Sequence, residues 1–154
     1  MIGSAALLAA LNTLLADEQA AIVQYAAHLS MATNWQYSKL AAYIAEHIDD
    51  ERKHATMLRE RIAFLEGEIV AGELGNVAVG ADVPEQLAND AGGETLAIQR
   101  YNAAIKLSLD NGDNTTRDIL SANLSDENDH LRDIEARQNQ IVAMGLDNFL
   151  SAQV

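Results

Sequence analysis

Four apolar stripes run along this chain at helical spacing, and each is broken by a glutamate at a position that should face inward. The first reads Leu7, Leu11, Leu14, Glu18, Ile22, Tyr25, Leu29, and the second Leu40, Ile44, His47, Glu51, His54, Leu58, Ile62, Leu65. The third reads Leu87, Ala91, Glu94, Ile98, Tyr101, Ile105, Leu109. The fourth reads Leu120, Leu124, Glu127, His130 or Leu131, Ile134, Gln138, Ile141. Burying a carboxylate costs several kcal/mol unless it is paired or bound to a metal ion. Four unpaired carboxylates in one small core would not survive, so the breaks read as a site.

Their spacing sharpens that reading. Glu18 and Tyr25 are seven apart, as are Glu94 and Tyr101; Glu51 and His54 are three apart, as are Glu127 and His130. The whole set recurs at an offset of 76 positions. Two helical hairpins, each carrying half a site, would therefore meet about a pseudo-twofold axis. Residues i and i+3 share a helix face, so each Glu-x-x-His pair can converge on one ion. Four carboxylates balance two divalent cations, and one imidazole per ion completes a donor set suited to iron or manganese. The spacing of seven places each tyrosine two turns along the face of its own helix, near the metal of that helix's glutamate. With 11 glutamates in the chain, two of four histidines having one at i−3 is about a 3% accident. Matched glutamates and tyrosines at one offset make chance remoter still.

The remaining features set the frame. A single proline, Pro84, and scarce β-branched alternation leave all-α as the class that fits. Helices are expected from about Ser4, a plausible N-cap, to Thr33, from Tyr37 or Ser38 to Leu65, from the N-cap Asp82 to Asn111-Gly112, and from Asn114 or Thr115 to Gly145. A short amphipathic fifth helix follows at about 146–152, and the glycine-bearing stretch between the second and third helices is long enough to cross the length of a bundle. One domain, 1–154, contains all of it, with the bundle at about 4–143. The net charge of −13 argues against nucleic acid and anionic membranes and draws cations. Without cysteine, any metal must be held by oxygen and imidazole nitrogen. No stretch reads as a membrane span, and Ile2 to Ala16 has no basic leader before it, so a cytoplasmic location is expected.

At these residues the chain resembles the bacterioferritins over essentially its whole length. The resemblance runs through Glu18, Tyr25, Asp50-Glu51-Arg52-Lys53-His54, Glu94 and Asp126-Glu127-Asn128-Asp129-His130. It includes the crossover segment Leu74-Gly75-Asn76-Val77-Ala78-Val79-Gly80 and the tail Met144-Gly145-Leu146-Asp147-Asn148-Phe149-Leu150. It implies a ferritin-like four-helix bundle with a long crossover and a short fifth helix. It also implies iron storage with a ferroxidase centre of two iron ions per subunit, O2 or H2O2 as oxidant, and assembly into a shell of about 24 subunits. Glu51 and Glu127 would bridge the ions, Glu18 and Glu94 would be terminal ligands, and His54 and His130 would each hold one iron. Apart from the resemblance, the matched spacing of Tyr25 and Tyr101 leaves two readings open: core aromatics, or residues that stand behind the ligands or take part in redox chemistry.

Two positions depart from the family pattern. The family binds haem between paired subunits through a methionine where this chain has Arg52, and a guanidinium cannot serve as that axial ligand. No haem is expected there, Met31 is not a substitute, and a mixed shell with a haem-binding paralogue becomes a possible arrangement. Glu46 stands where well-known members carry a histidine on the inner surface, which argues against a third iron site there.

Rival readings are a passive iron-binding shell subunit and a rubrerythrin-like peroxide reductase. The latter would need a glutamate where Ala97 stands and a cysteine-ligated partner domain. Other residues take plainer readings. His47 is taken as a hydrogen-bonded histidine rather than an extra ligand, His28 as a packing or subunit-contact residue, and Trp35 as packing. Gly92-Gly93 is read as a place where the third helix bulges or a partner packs closely.

Overall fold

The computed structural model describes residues 2–154; Met1, the first residue of the expected domain, lies outside them. Five helices follow in order: α1 (Ala5–Asn34), α2 (Ser38–Phe64), α3 (Val83–Asp110), α4 (Asn114–Met144) and α5 (Leu146–Ser151). There is no strand among the described residues. This is the ferritin-like four-helix bundle with a short fifth helix that the sequence led us to expect.

The chemistry at the helix ends explains the boundaries. Ser4 caps α1 by accepting from the Leu7 N–H, and Asp82 caps α3 by accepting from the Glu85 N–H at 2.9 Å. Pro84 in the first turn of α3 removes no bond the helix needs. Gly145 stops α4 at φ +82, a conformation that side-chain-bearing residues adopt at a cost, and the chain turns there into α5. Phe149 of α5 is buried against the cluster of Leu40, Tyr43 and Ile134, which Trp35 also joins as a packing residue.

The hairpins α1–α2 and α3–α4 pack internally, and α1 also lies on α3 and α2 on α4. Between the hairpins the chain climbs along α1 without regular structure, its backbone groups caught by successive α1 turns. Asn12 accepts from the Val70 N–H at 2.9 Å, Gly75 N–H donates to Ala16 O at 2.8 Å, and Gln24 accepts from the Ala78 N–H at 2.8 Å. His28 Nε2 accepts from the Gly80 N–H at 3.2 Å, while its Nδ1 meets Asp90 of α3. From Asn12 to His28 is about 24 Å of helix. An irregular segment this long stays ordered because its polar groups are satisfied. His28 is thus an internal tie between the crossover, α1 and α3. At Gly80 a Cβ would stand 2.4 Å from the Gln86 backbone N, so only glycine allows this approach.

Two expectations need correction. α1 is long and apolar enough to cross a membrane by length and composition. Leu7, Leu11, Leu14, Leu15 and Tyr25 of α1 are instead packed into the two clusters of the bundle core. On α3 the inward stripe turns after Tyr101 to Ala104 and Ser108, leaving Leu109 half exposed and Ile105 only partly covered. At 3.6 residues per turn both continuations were open, and the close-packed bundle end takes the smaller side chains.

One polar contact also holds the bundle end. Arg61 of α2, only 7% exposed, donates to Asp113 at 2.8 and 2.9 Å and to Thr116 at 2.6 Å, clamping α2 to the α3–α4 turn. Arg61→Leu removes the counter-charge of Asp113, which keeps only its bonds from Thr116, and is expected to cost about 3 kcal/mol. Denaturant titration of the metal-free protein measures this; a loss below about 1 kcal/mol would show that the clamp contributes little.

Candidate metal centre

The breaks in the four stripes meet in the middle of the bundle. Glu18 comes from α1, Glu51 and His54 from α2, Glu94 from α3, and Glu127 and His130 from α4. All six are buried. His54 Nδ1 lies 3.2 Å from Glu51, 3.0 Å from Glu127 and 3.7 Å from Glu18. His130 Nδ1 lies 3.3 Å from Glu51, 3.5 Å from Glu127 and 3.7 Å from Glu94. Two groups result, Glu18–Glu51–His54–Glu127 and Glu51–Glu94–Glu127–His130, each with its ligand atoms within 4.8 Å of one another. Glu51 and Glu127 belong to both. Two metal ions held side by side, with shared carboxylates between them, need this arrangement.

Electrostatics explain how such a core survives without metal. Burial and the charges of Glu51 and Glu127 push Glu18 well above the usual carboxylate range. Burial raises Glu94 too, with Glu51 and Glu127 outweighing the contact to His130. For Glu51, burial alone would act upward, but the His130 and His54 rings close beside it hold it well below the usual range. Glu127 is depressed likewise, the two histidines prevailing over burial and the charge of Glu51. His54 and His130 rise against their burial because carboxylates surround each ring. Two neutral carboxyls, two carboxylates and two imidazolium ions leave the metal-free centre balanced. Two divalent ions displacing those protons would leave it balanced again. Buried atoms of the right kind also stand without hydrogen-bond partners, Glu51 Oε1, Glu127 Oε1 and His130 Nδ1 among them, as a donor set facing an ion would.

The tyrosines sit near the centre, but each serves the opposite half. Tyr25 donates to Glu94 at 2.5 Å and Tyr101 donates to Glu18. Moving up α1 from Glu18 to Tyr25 means moving back along α3 from Tyr101 to Glu94, so these helices run antiparallel. The expectation that each tyrosine stands near the metal of its own helix's glutamate is therefore corrected: two turns separate them, and the neighbouring helix brings the other half's glutamate alongside. Burial and the adjacent Glu94 raise the Tyr25 phenol, and burial and Glu18 raise Tyr101, keeping both protonated as donors.

Two residues escaped the sequence reading of the site. His54 Nε2 lies 3.1 Å from Asp126, and His130 Nε2 lies 3.4 Å from Asp50. These aspartates hold the outer ring nitrogens and so aim Nδ1 inward. They obey the same offset of 76 and each precedes a core glutamate. That signal was present, but the positions read as solvent-facing, and both remain partly exposed.

His47 does not fulfil its hydrogen-bonded reading. Its Nδ1 is buried without a partner, its ring stacks on His130 at 4.1 Å, and its edge contacts are to Tyr25 and Tyr43. Burial and the neighbouring His130 lower its pKa to about 4, so it is a neutral imidazole at neutral pH. Glu46, by contrast, is exposed.

A cavity of about 280 Å³ reaches the centre between α1, α3 and the crossover. Ala20, Ala21, Ala88, Ala97, Gly92 and Gly93 line it, with Glu18 and Glu94 also on its wall. α3 stays helical through Gly92-Gly93, so no bulge forms, and a Cβ at either would meet nothing within 4 Å. Gly92→Ala is accordingly expected to stabilise the fold by about 1 kcal/mol, read by denaturant titration. A destabilised variant would show that the glycine serves a backbone constraint rather than space.

A long-crossover four-helix bundle with paired carboxylate–histidine groups at mid-height defines the class of di-metal carboxylate bundles. The ferritin-like domain family matches residues 8–144. The chain is 36% identical to a bacterial ferritin of Synechocystis over 100% of its length and 99% of the relative's. It is 37% identical to a bacterial ferritin of Pseudomonas aeruginosa over 94% of both chains. It is 32% identical to a bacterioferritin of Streptomyces coelicolor, covering 94% of this chain and 86% of that one. The chain belongs to the ferritin-like family, among the bacterial ferritins and bacterioferritins.

Proposed function

We propose that this protein stores iron and oxidises it on entry, as a ferroxidase with an intra-subunit site for two ferrous ions. One observation carries the reading: two four-residue ligand groups share Glu51 and Glu127 inside a single chain. Glu18 and His54 complete one position, and Glu94 and His130 the other. Ferrous iron is the substrate. Each ion gives up one electron, and the pair reduces O2 to H2O2 or H2O2 to water. Asp126 and Asp50 orient the two imidazoles, Tyr101 and Tyr25 orient the terminal carboxylates, and the cavity beside Glu18 and Glu94 gives small reactants a way in. The acidic surface concentrates cations near the shell.

The same reading places the chain in a hollow cytoplasmic shell of about 24 copies, with ferric mineral inside. Arg52 supports a shell without haem at the family's usual place: its side chain is 64% exposed and pairs with Asp49 at 3.2 Å. It equally fits a mixed shell in which a second, methionine-bearing subunit supplies the haem, which co-purification from the native source would reveal.

The deciding experiment is stopped-flow absorbance of metal-free protein mixed with ferrous iron in air. A fast phase that saturates at two irons per chain is expected. Slow oxidation without saturation, matching iron in buffer alone, would leave a passive storage subunit and overturn the ferroxidase reading.

A further inference from the structure

The pseudo-twofold that relates the two halves of the centre fails at one pair of positions. The offset of 76 carries His47 onto Asn123. Both are buried beside the tyrosine of their half, yet they do different things. Asn123 donates to the Tyr101 oxygen at 3.1 Å and is thereby occupied. His47 makes only ring contact with Tyr25, at 5.4 Å between centroids, and its Nδ1 has no partner although 96% of the residue is buried (4% exposed).

A buried imidazole nitrogen without a hydrogen bond is costly, and native cores rarely keep one without a use. A nitrogen of His47 lies within 4.8 Å of ligand atoms of both Glu94 and His130, forming a third buried group that shares those two residues with the centre. His47 also sits one helical turn before Glu51, on the same face of α2.

We propose that His47 is a seventh ligand, serving only the ion held by Glu94 and His130. The proposal rests on the two-ion reading of the centre and deepens it: the two positions are chemically unequal. One offers carboxylates and one imidazole; the other offers carboxylates and two imidazoles, a donor set that favours borderline ions such as Co²⁺, Zn²⁺ and Fe²⁺. The ion at the His47 side therefore binds first and more tightly, and loading is sequential.

Anaerobic Co²⁺ titration of the metal-free protein, followed by calorimetry and visible absorption, tests this without reference to activity. The wild type is expected to take two ions in two resolved steps. His47→Asn, which copies the residue at the related position, is expected to weaken the tighter step at least about tenfold, merge the two steps and change the ligand-field spectrum. Far-UV circular dichroism of the variant confirms that it folds. X-ray absorption of the Zn²⁺-loaded wild type gives a second reading that needs no variant: three imidazoles per two ions are expected. Two imidazoles per two ions, or a folded His47→Asn with unchanged steps and spectrum, would overturn the seventh ligand and leave the six-ligand centre standing. A wild type that binds fewer than two Co²⁺ would overturn the two-ion reading, and this proposal with it.

Discussion

Alanine at Glu18 or His130 is expected to slow the fast phase of ferrous oxidation by at least about 100-fold while the bundle still folds. Each substitution removes the terminal donor of one position, and oxidation of an ion pair requires both positions filled. The two variants should differ in stability, because a raised pKa marks Glu18 as a carboxyl crowded by like charges and His130 as a cation held by carboxylates. Glu18 is raised well above its ordinary value by burial and by the charges of Glu51 and Glu127. A raised carboxyl favours folding below its unfolded pKa, and that contribution is lost as pH climbs through the folded value. Removing Glu18 should therefore leave the metal-free protein as stable as the wild type, or more so, at pH 7.

His130 acts the other way, since it holds Glu51 and Glu127 down against burial. The stability from a depressed carboxylate is present above its unfolded pKa and disappears as pH falls through the folded one. His130→Ala should thus weaken the metal-free protein at pH 7 and nearly as much at pH 4, since Glu51 is held so far down that its contribution is lost only in stronger acid. Stopped-flow kinetics and denaturant titration at both pH values check the pair; wild-type oxidation rates in both variants would remove the assigned ligands from the mechanism.

Loading the metal-free centre with two divalent ions is expected to expel about four protons. Glu18, Glu94, His54 and His130 all have raised pKa values without metal, so at neutrality they carry the protons that the ions must displace. The sign follows directly: affinity increases with pH everywhere below those raised values. The product of the two binding constants then changes by about 10⁴ for each pH unit. Indicator absorbance during a Zn²⁺ titration in dilute buffer counts the protons. Release of fewer than one per pair of ions would mean that the centre is already deprotonated, and the charge balance argued for it would be wrong.

The helical class, the caps at Ser4 and Asp82, the stop at Gly145 and the stripe from Leu40 to Ile62 on α2 were legible from the residues, because period and capping are local, while buried Tyr43, Ile48, Ala55 and Arg61 beside that stripe were not. The six converging side chains were legible for a further reason: the offset of 76 repeats a chemical pattern that an ordinary core would reject. On α3 the same logic went astray after Tyr101, where large apolar side chains drew the stripe toward Leu109 while the packing selected Ala104 and Ser108.

What the sequence determined by itself is which side chains cannot be left alone in a core: Glu18, Glu51, Glu94 and Glu127, and the histidines spaced to join two of them. Tertiary structure alone decided who meets whom. The antiparallel setting of α1 against α3 gives Tyr25 to Glu94 and Tyr101 to Glu18, and the closeness of α2 and α4 brings Asp126 to His54 and Asp50 to His130. It also left His47 stacked on His130 with an unpartnered nitrogen, and it left a cavity where glycine and alanine face one another. Those outcomes depend on the register between helices distant in sequence, which periodicity along one helix does not encode.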